Sequence, residues 1–184
     1  MSAQDLKPEF AELVNAHARE IHAFLWRLLR DQSDSEDCLQ SVFLNAFRAY
    51  GRMPVGANYR AWLYKIASNQ ARTLLKRRAR DPIELADDLA SPVPSVENQT
   101  ERRQRLREVT RAVARLPYKQ RAALMLSKYQ GLSYAEIGEI LGTRPEAARA
   151  NAYQALRKLR GLFQEAGADQ ITEWPQPRAQ EGAR

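Results

Sequence analysis

Few side chains in this 184-residue chain could carry out chemistry of their own. His17 and His22 are five residues apart, whereas one face of a helix needs a spacing of three or four, so we expect no metal site. Cys38 is the only cysteine, and the acids beside it should raise the pKa of its thiol. The acids at 34–37 suit a helix N-terminus. No glycine-rich phosphate loop is present. We therefore expect a protein that is not an enzyme and that needs no cofactor or metal.

Positive charge is the stronger chemical signal, and its placement matters more than its total. Residues 1–80 carry 13 basic and 8 acidic residues, residues 81–100 carry 5 acids and no base, and residues 101–184 carry 16 basic and 9 acidic residues. No acid occurs between Asp37 and Asp81, a stretch with nine basic residues: Arg48, Arg52, Arg60, Lys65, Arg72, Lys76, Arg77, Arg78 and Arg80. Nine positive charges without an acid repel one another unless a polyanion binds to them. The stretch therefore favours nucleic-acid binding; a solvated surface is the alternative.

The elements that must position these residues are all predicted to be helices. Apolar residues recur at helical spacing, with three helices in 1–80 and four in 101–165, and no alternating strand pattern occurs. The fold class is therefore all-α: two small helical domains joined by an extended linker at 81–100, which contains three prolines. Residues 166–184 lack a pattern and are expected to be a flexible tail. No run of 18 apolar residues occurs, so we expect no membrane insertion.

Candidate caps mark where several of these helices begin. Ser33 with Glu36, Ser133 with Glu136, and Thr143 with Glu146 have the spacing of a capping box. Asn58 is the candidate cap of the third helix.

The segment 133–159 has the pattern of a helix-turn-helix. A short helix ends at Leu141, Gly142 allows a sharp turn, and a second helix follows at once. Small residues at 147, 148, 150 and 152 should let the two helices approach closely. The apolar residues that should meet there are Ile137, Ile140, Leu141, Ala148, Ala152, Leu156 and Leu159. The second helix of such a pair reads the major groove, where Arg suits guanine and Gln suits adenine. A plain helical hairpin is the alternative.

Both blocks resemble bacterial sigma factors. The second block resembles region 4 in the stretch LPYKQRAALMLSKYQGLSYAEIGEILGTRPEAARANAYQALRKLRGL. The first resembles region 2, with SDSEDCLQSVFLNAFRAY similar to the polymerase-binding helix and YRAWLYKIASNQARTLLKRRAR similar to the promoter-melting segment. The layout leaves no room for region 3 or region 1.1, which is typical of the two-domain extracytoplasmic-function (ECF) group. The resemblance spans about residues 10–163.

The resemblance implies a transcription initiation factor that acts in the cytoplasm. Its partners would be core RNA polymerase (the β and β′ subunits), promoter DNA as −35 duplex and −10 single strand, and an anti-sigma factor. The linker 81–100 would thread toward the active-site cleft; a solvated tether is the alternative. The domains would be 1–80 as region 2 and 101–165 as region 4. The loop 51–59 would hold a flipped −10 base.

The resemblance also assigns roles to individual residues. The residues implied to bind polymerase are Asp37, Leu39, Gln40 and Phe43. Those implied to bind −10 DNA are Tyr59, Trp62, Lys65, Asn69, Arg72, Thr73, Lys76 and Arg77. Those implied to bind −35 DNA are Arg144, Glu146, Arg149, Tyr153, Gln154 and Arg157. Tyr59 and Tyr64 are candidates to stack on bases. Trp62 has a second interpretation, as core between helices.

The recognition helix departs from the family pattern between Ala147 and Ala155. Arg149 is the one basic position retained, while Asn151 and Gln154 replace basic residues, so we expect weakened or altered −35 binding. Two other functions remain open. A sigma mimic that titrates an anti-sigma factor would not need the basic melting surface, and a helix-turn-helix repressor would not need the docking helix.

Overall fold

The structure, a computed structural model, describes residues 7–80 and 107–165. These residues form seven helices and no strand. The helices are α1 (Phe10–Leu29), α2 (Gln32–Tyr50), α3 (Tyr59–Arg80), α4 (107–114 in its described part), α5 (Tyr118–Lys128), α6 (Tyr134–Leu141) and α7 (Pro145–Glu165). The all-α expectation is confirmed for this part of the chain. The predicted linker 81–100 and tail 166–184 lie outside the described residues.

The first block, residues 7–80, is a three-helix unit. α1 contributes large buried side chains such as Phe24 and Leu28, and Phe24 meets Tyr64 of α3 edge-on with ring centroids 5.3 Å apart. α3 presents Ala61, Ala67 and other small residues on its buried face. Small side chains let a helix approach its neighbours closely, so the larger groups of α1 fill the space between them.

Helix starts in this block follow the local cap chemistry, with one correction. Asn58 caps α3 as predicted, because its Oδ1 accepts from the Ala61 N–H at 3.0 Å. The Ser33 capping box is wrong. α2 begins earlier, at Gln32, and the Asp31 side chain accepts from the Asp34 N–H at 2.8 Å. Asp31 is as good a cap as serine and comes first, so Ser33 falls inside the helix.

The second block, residues 107–165, contains the predicted short helix, turn and long helix. The Ser133 capping box is confirmed: the Ser133 N–H donates to Glu136 at 2.9 Å and the Glu136 N–H donates to Ser133 Oγ at 3.3 Å. The Thr143 capping box is wrong, because α7 begins at Pro145 and the Thr143 hydroxyl is buried without a hydrogen-bond partner. Proline favours the first helical position, which puts Thr143 one residue too early to cap.

The two blocks pack on each other. α3 contacts α6, α1 contacts α5, and one cluster of buried apolar side chains runs through both blocks. None of the helices in the described part of the chain is both long enough and apolar enough to cross a membrane.

Candidate nucleic-acid interface

One exposed stripe along α3 collects the polar residues predicted for −10 DNA. We call it the α3 reading face, and it consists of Lys65, Asn69, Arg72, Thr73, Lys76 and Arg77. All six are exposed. Steps of three and four residues place them on one side of the helix, opposite the buried Tyr64 and Ala67. The Thr73 hydroxyl donates to the Asn69 carbonyl at 2.9 Å, which leaves its oxygen turned out as an acceptor.

Two arginines of the stretch between Asp37 and Asp81, which contains no acid, pair in the fold with acids from earlier in the chain. Arg60 forms a two-pronged ion pair with Glu20 of α1, with nitrogen–oxygen distances of 2.8–3.1 Å. Arg78 pairs with Asp34 and lies 3.5 Å from Asp31. Two of the nine positive charges therefore stabilise the fold. The other seven are exposed: Arg48, Arg52, Lys65, Arg72, Lys76, Arg77 and Arg80.

The Glu20–Arg60 pair is electrostatically well matched. Burial alone would raise the pKa of Glu20, but hydrogen bonds from Arg60 and His17 lower it overall. The hydrogen bond to Glu20 raises the pKa of Arg60. His17 Nδ1 lies 2.6 Å from the same carboxylate, so this histidine supports an ion pair. Cys38 is buried, and burial, rather than the adjacent acids, raises the pKa of its thiol to about 11.

The predicted stacking residues separate into one at the surface and one in the core. Tyr59 is half-buried, and its hydroxyl donates to the Pro54 carbonyl at 2.9 Å, so it braces the loop that precedes α3. Tyr64 is fully buried and its hydroxyl donates to Gln130 Oε1 at 2.7 Å. The stacking prediction for Tyr64 is wrong, since the helical register turns this ring inward. Trp62 is half-buried against the core, with its ring 6.5 Å from that of Tyr50.

Hydrogen bonds from Lys7 hold the loop at 51–58 in place, and sequence reasoning missed them. Lys7 donates to the carbonyls of Tyr50 and Met53, the latter at 2.9 Å, and its ammonium group lies 4.1 Å from the Tyr50 ring centroid. The Tyr50 hydroxyl donates to the Pro8 carbonyl. No local pattern pairs Lys7 with a loop more than forty residues away, so only the fold could reveal this clamp.

The turn between α6 and α7 depends on two glycines. Gly142 has φ +61°, a left-handed conformation that strains other residues, as predicted. Gly138 was missed. A Cβ on Gly138 would lie 2.8 Å from the Thr143 carbonyl oxygen and 3.2 Å from the Pro145 nitrogen. Of the small residues expected at the crossing, Ala148 and Ala152 are buried, whereas those at 147 and 150 are exposed, so that part of the prediction is wrong.

The exposed side of α7 forms a second reading face. We call it the α7 reading face; it consists of Glu146, Arg149, Tyr153 and Arg157, with Arg144 just before the helix. All five are exposed, Tyr153 at 65 %. Spacings of three and four residues keep them on one side, away from the buried Ala148, Ala152 and Ala155.

Two polar residues that replace basic residues of the family pattern form hydrogen bonds within the protein. Gln154 is exposed, and its Oε1 accepts from Gln120 of α5 at 2.8 Å. A bidentate contact to adenine uses both the oxygen and the nitrogen of a Gln amide, so this hydrogen bond leaves Gln154 better suited to donate. The Asn151 amide donates to the Ala147 carbonyl of its own helix at 2.8 Å.

A third surface lies along α2, where the polymerase-binding residues were predicted. Asp37 and Gln40 are exposed, but Leu39 and Phe43 are half-buried and pack against the core. Leu44 and Phe47 are 51 % and 64 % exposed, although Phe47 follows Phe43 at the helical spacing of the apolar residues of α2. Asp37, Gln40, Leu44 and Phe47 share one side of the helix. We call these four residues the α2 docking face.

The fold is a two-part helical one with an exposed basic face on α3 and a second exposed polar face on α7. Comparison with known proteins identifies one family. The family description "Sigma-70 region 2" matches residues 13–81, and "Sigma-70, region 4" matches residues 106–159. The RNA polymerase sigma factor CarQ of Myxococcus xanthus is 36 % identical over 157 residues, which cover 85 % of this chain and 90 % of CarQ. The ECF sigma factor SigE of Mycolicibacterium smegmatis is 31 % identical, over 85 % of this chain and 62 % of SigE.

Solved structures share the same fold. The sigma factor RpoE of Bartonella quintana, solved with the anti-sigma factor NepR, superposes with a TM-score of 0.69 at 21 % identity over 85 % of this chain and 97 % of that one. CnrH, solved with the cytosolic domain of CnrY, gives a TM-score of 0.65 at 22 % identity over 85 % and 88 %. This chain belongs to the sigma-70 family of RNA polymerase sigma factors, in the ECF group, and is a transcription initiation factor.

Proposed function

We propose that this sigma factor uses its three exposed faces for three separate contacts in initiation. The observation that carries the proposal is the alignment of six polar residues on the α3 reading face, with buried side chains confined to the other side of the helix. A face built only for solubility would mix charges of both signs. Every charge on this face is positive, as a phosphate backbone requires.

The α3 reading face is proposed to hold the −10 element as a single strand. Arg72, Lys76 and Arg77 would contact phosphates, and Asn69 with Thr73 would read base edges, the first as donor and acceptor and the second as acceptor. Tyr59 would stack on or beside a base at the end of the loop. Trp62 would support the base pocket from its half-buried position rather than enter the DNA.

The α7 reading face is proposed to bind the −35 duplex in the major groove. Arg149 would contact a guanine edge, and Gln154 would donate to an acceptor edge because its oxygen is already bonded to Gln120. Arg144 and Arg157 would contact phosphates at either end of the helix segment, and Tyr153 would lie between them. Asn151 is turned back onto its own helix and is not proposed as a DNA contact.

The α2 docking face is proposed to bind core polymerase at the clamp helices of β′. Two exposed apolar side chains, Leu44 and Phe47, next to the polar Asp37 and Gln40, give the mixed apolar and polar composition typical of a protein–protein contact. Leu39 and Phe43 would contribute indirectly, by packing α2 against the core.

The remaining assignments follow from this role. We propose residues 1–80 as region 2, 81–100 as linker, 101–165 as region 4 and 166–184 as tail. The protein would act in the cytoplasm beside polymerase and would leave all bond-forming chemistry to it. RpoE of Bartonella quintana has been solved with an anti-sigma factor, and we propose that this chain has such a partner as well.

The decisive experiment is transcription with core polymerase and promoters selected from a random library by the holoenzyme. We expect Asn69→Ala to reduce melting of the −10 element and run-off product, with unchanged affinity for core polymerase. Asn15→Ala is the matched control, because Asn15 is an exposed asparagine of α1 outside the three faces. Equal loss of core binding in Asn69→Ala would mean that the reading face is misassigned. No promoter-specific transcript from the wild type would overturn the proposal.

A further inference from the structure

The segment just before α1 is bonded to the end of α2 and to the loop 51–58. The Lys7 ammonium group donates to the carbonyls of Tyr50 and Met53, the latter at 2.9 Å, and lies 4.1 Å from the Tyr50 ring centroid. The Tyr50 hydroxyl donates in return to the Pro8 carbonyl. We call Lys7 and Pro8 the N-terminal brace. It reaches a part of the chain that lies 42–46 residues away in sequence.

Phe10, the first residue of α1, adds aromatic packing beside the brace. Its ring meets that of Phe47 edge-on at a centroid distance of 5.2 Å and that of Tyr50 at 5.3 Å. The Tyr50 ring also lies 5.9 Å from the ring of Tyr59, which follows the loop at the start of α3. Tyr50 therefore contacts both the brace and the residue at the far end of the loop.

The loop itself has few features that fix its shape. None of the residues 51–58 is buried, and only Met53 and Ala57 among them are half-buried. Pro54 has no N–H to donate, and its carbonyl accepts from the Ala57 N–H at a long 3.4 Å. Burial and backbone pairing thus hold the loop weakly, and the brace supplies a charged anchor at Met53.

A lysine suits this position and is committed to it. α2 ends at Tyr50, so the carbonyls there carry the negative end of the helix dipole, and a cation beside them is stabilising. An ammonium group has three N–H donors, of which the carbonyls of Tyr50 and Met53 use two. Lys7 is also half-buried against the Tyr50 ring. Its charge is therefore spent on the loop and is not presented to a DNA phosphate.

We propose that Lys7 is a positioning residue for the −10 element: it holds the loop 51–58 in the shape that accepts an unstacked base, without touching the DNA. The inference rests on the proposed function, in which this loop and Tyr59 receive that base. A loop that adopts the accepting shape for a fraction of the time binds more weakly in proportion to that fraction. The brace therefore raises affinity at the one base that enters the loop and leaves the phosphate contacts of the α3 reading face unchanged.

The test uses holoenzyme formed with the full chain and a single-stranded oligonucleotide that carries the −10 element of a selected promoter. Affinity is measured for this strand and for strands in which each −10 base is replaced in turn. Lys7→Met removes the charge and the donors, whereas Lys7→Arg keeps both. Tyr50→Phe removes only the hydroxyl that is bonded to Pro8. Lys119→Met is the matched control, because it removes the same charge from an exposed lysine of α5 in the second block.

We expect Lys7→Met to weaken binding of the −10 strand about tenfold, as for a loop that has the accepting shape one time in ten. Discrimination should fall by the same factor at one base and stay unchanged at the others. Affinity for core polymerase and the salt dependence of strand binding should not change. Lys7→Arg should restore most of the loss, Tyr50→Phe should give a smaller loss at the same base, and Lys119→Met should give none.

Hydrogen exchange in the free chain checks the loop independently of DNA. The amides of residues 51–58 should exchange faster in Lys7→Met than in the wild type, and at the wild-type rate in Lys119→Met. If Lys7→Met unfolds the first block, the milder Tyr50→Phe carries the test: a loss at one base supports the positioning role, and no loss overturns it.

Three results would overturn the positioning role. One is a folded Lys7→Met variant with wild-type loop exchange and wild-type −10 affinity. Another is an equal loss for every −10 sequence with a salt slope reduced by about 0.7, which marks a phosphate contact by Lys7. The third is an equal loss of core polymerase binding in both Lys7→Met and Tyr50→Phe. Failure of the proposed function looks different, because the wild-type holoenzyme would then show no base preference in the −10 strand.

Discussion

Replacing Gly138 with alanine should loosen the α6–α7 crossing and weaken −35 binding. The added methyl group would sit 2.8 Å from the Thr143 carbonyl oxygen, closer than such atoms approach, and 3.2 Å from the Pro145 nitrogen. Both are backbone atoms of a turn that is already constrained by Gly142 in a left-handed conformation and by Pro145. Neither can turn aside as a flexible side chain could, so the helices must move apart.

The magnitude follows from two opposing terms. Overpacking of this kind costs about 1–3 kcal/mol, and the rigid neighbours point to the upper end. Alanine recovers about 1 kcal/mol relative to glycine inside a helix. The net loss is about 2 kcal/mol, which lowers Tm by roughly 4–8 °C for a chain of this size. Displacing the N-terminus of α7 would also lose a base contact worth about 1–3 kcal/mol.

The assay pairs thermal unfolding with binding to a fluorescent −35 duplex. Gly161→Ala is the matched control, because the same substitution in α7 meets nothing within 4 Å. It should stabilise the chain by about 1 kcal/mol and leave DNA affinity unchanged. The two variants should therefore shift Tm in opposite directions. Gly138→Ala with wild-type Tm and wild-type duplex affinity would refute the crossing argument.

Three further outcomes are expected. Glu20→Gln should lower the free energy of unfolding at pH 7 by breaking the pair with Arg60. Because the folded-state pKa of Glu20 is lowered, this contribution is present above about pH 4.5 and is lost as the pH falls through the folded-state pKa. In strong acid, urea titrations should give the variant and the wild type the same free energy of unfolding. Arg149→Ala should weaken duplex binding and relax the preference at one base pair, whereas Arg157→Ala, which removes a proposed phosphate contact, should mainly reduce the salt dependence of binding; identical effects on a panel of mutated duplexes would contradict this division. Phe47→Ala should weaken core polymerase binding in a pull-down titration and lower Tm only slightly, since the ring is 64 % exposed but loses an edge contact with Phe10 at a centroid distance of 5.2 Å. A large drop in Tm without loss of binding would place the ring in the core instead.

Most of the fold could be predicted because helix signals are local. The apolar spacing of Phe10 to Leu29 and the capping box at Ser133 each lie within a few turns of chain, so they survive into the structure. The errors fall where two local signals compete. Asp31 precedes Ser33 as a cap, and Pro145 outweighs Thr143 as a start.

The candidate site divides in the same way. The resemblance implies which residues of α3 and α7 bind DNA, and helical spacing places them on one side of each helix, because the period of 3.6 residues decides which side chains share a side. The burial of Tyr64 and the exposure of Phe47 do not follow from it. Both rings recur at helical spacing with apolar neighbours, and only tertiary packing decides which one is covered: Tyr64 lies against Phe24 of α1 and bonds to Gln130, whereas Phe47 stays exposed.

The residues alone were enough to define an all-α, two-block, DNA-facing protein, because composition, periodicity and motif spacing are properties of short segments. Tertiary structure alone decided which positive charges of the basic stretch stay exposed and which are paired with acids. Arg60 and Arg78 belong to the same basic stretch as Arg72 and Arg77, yet they lie against acids from α1, α2 and the residue before α2. It also decided that Gln130 meets Tyr64, 66 residues earlier in the chain. Such pairings depend on how helices pack, and packing brings together residues whose separation along the chain carries no local pattern.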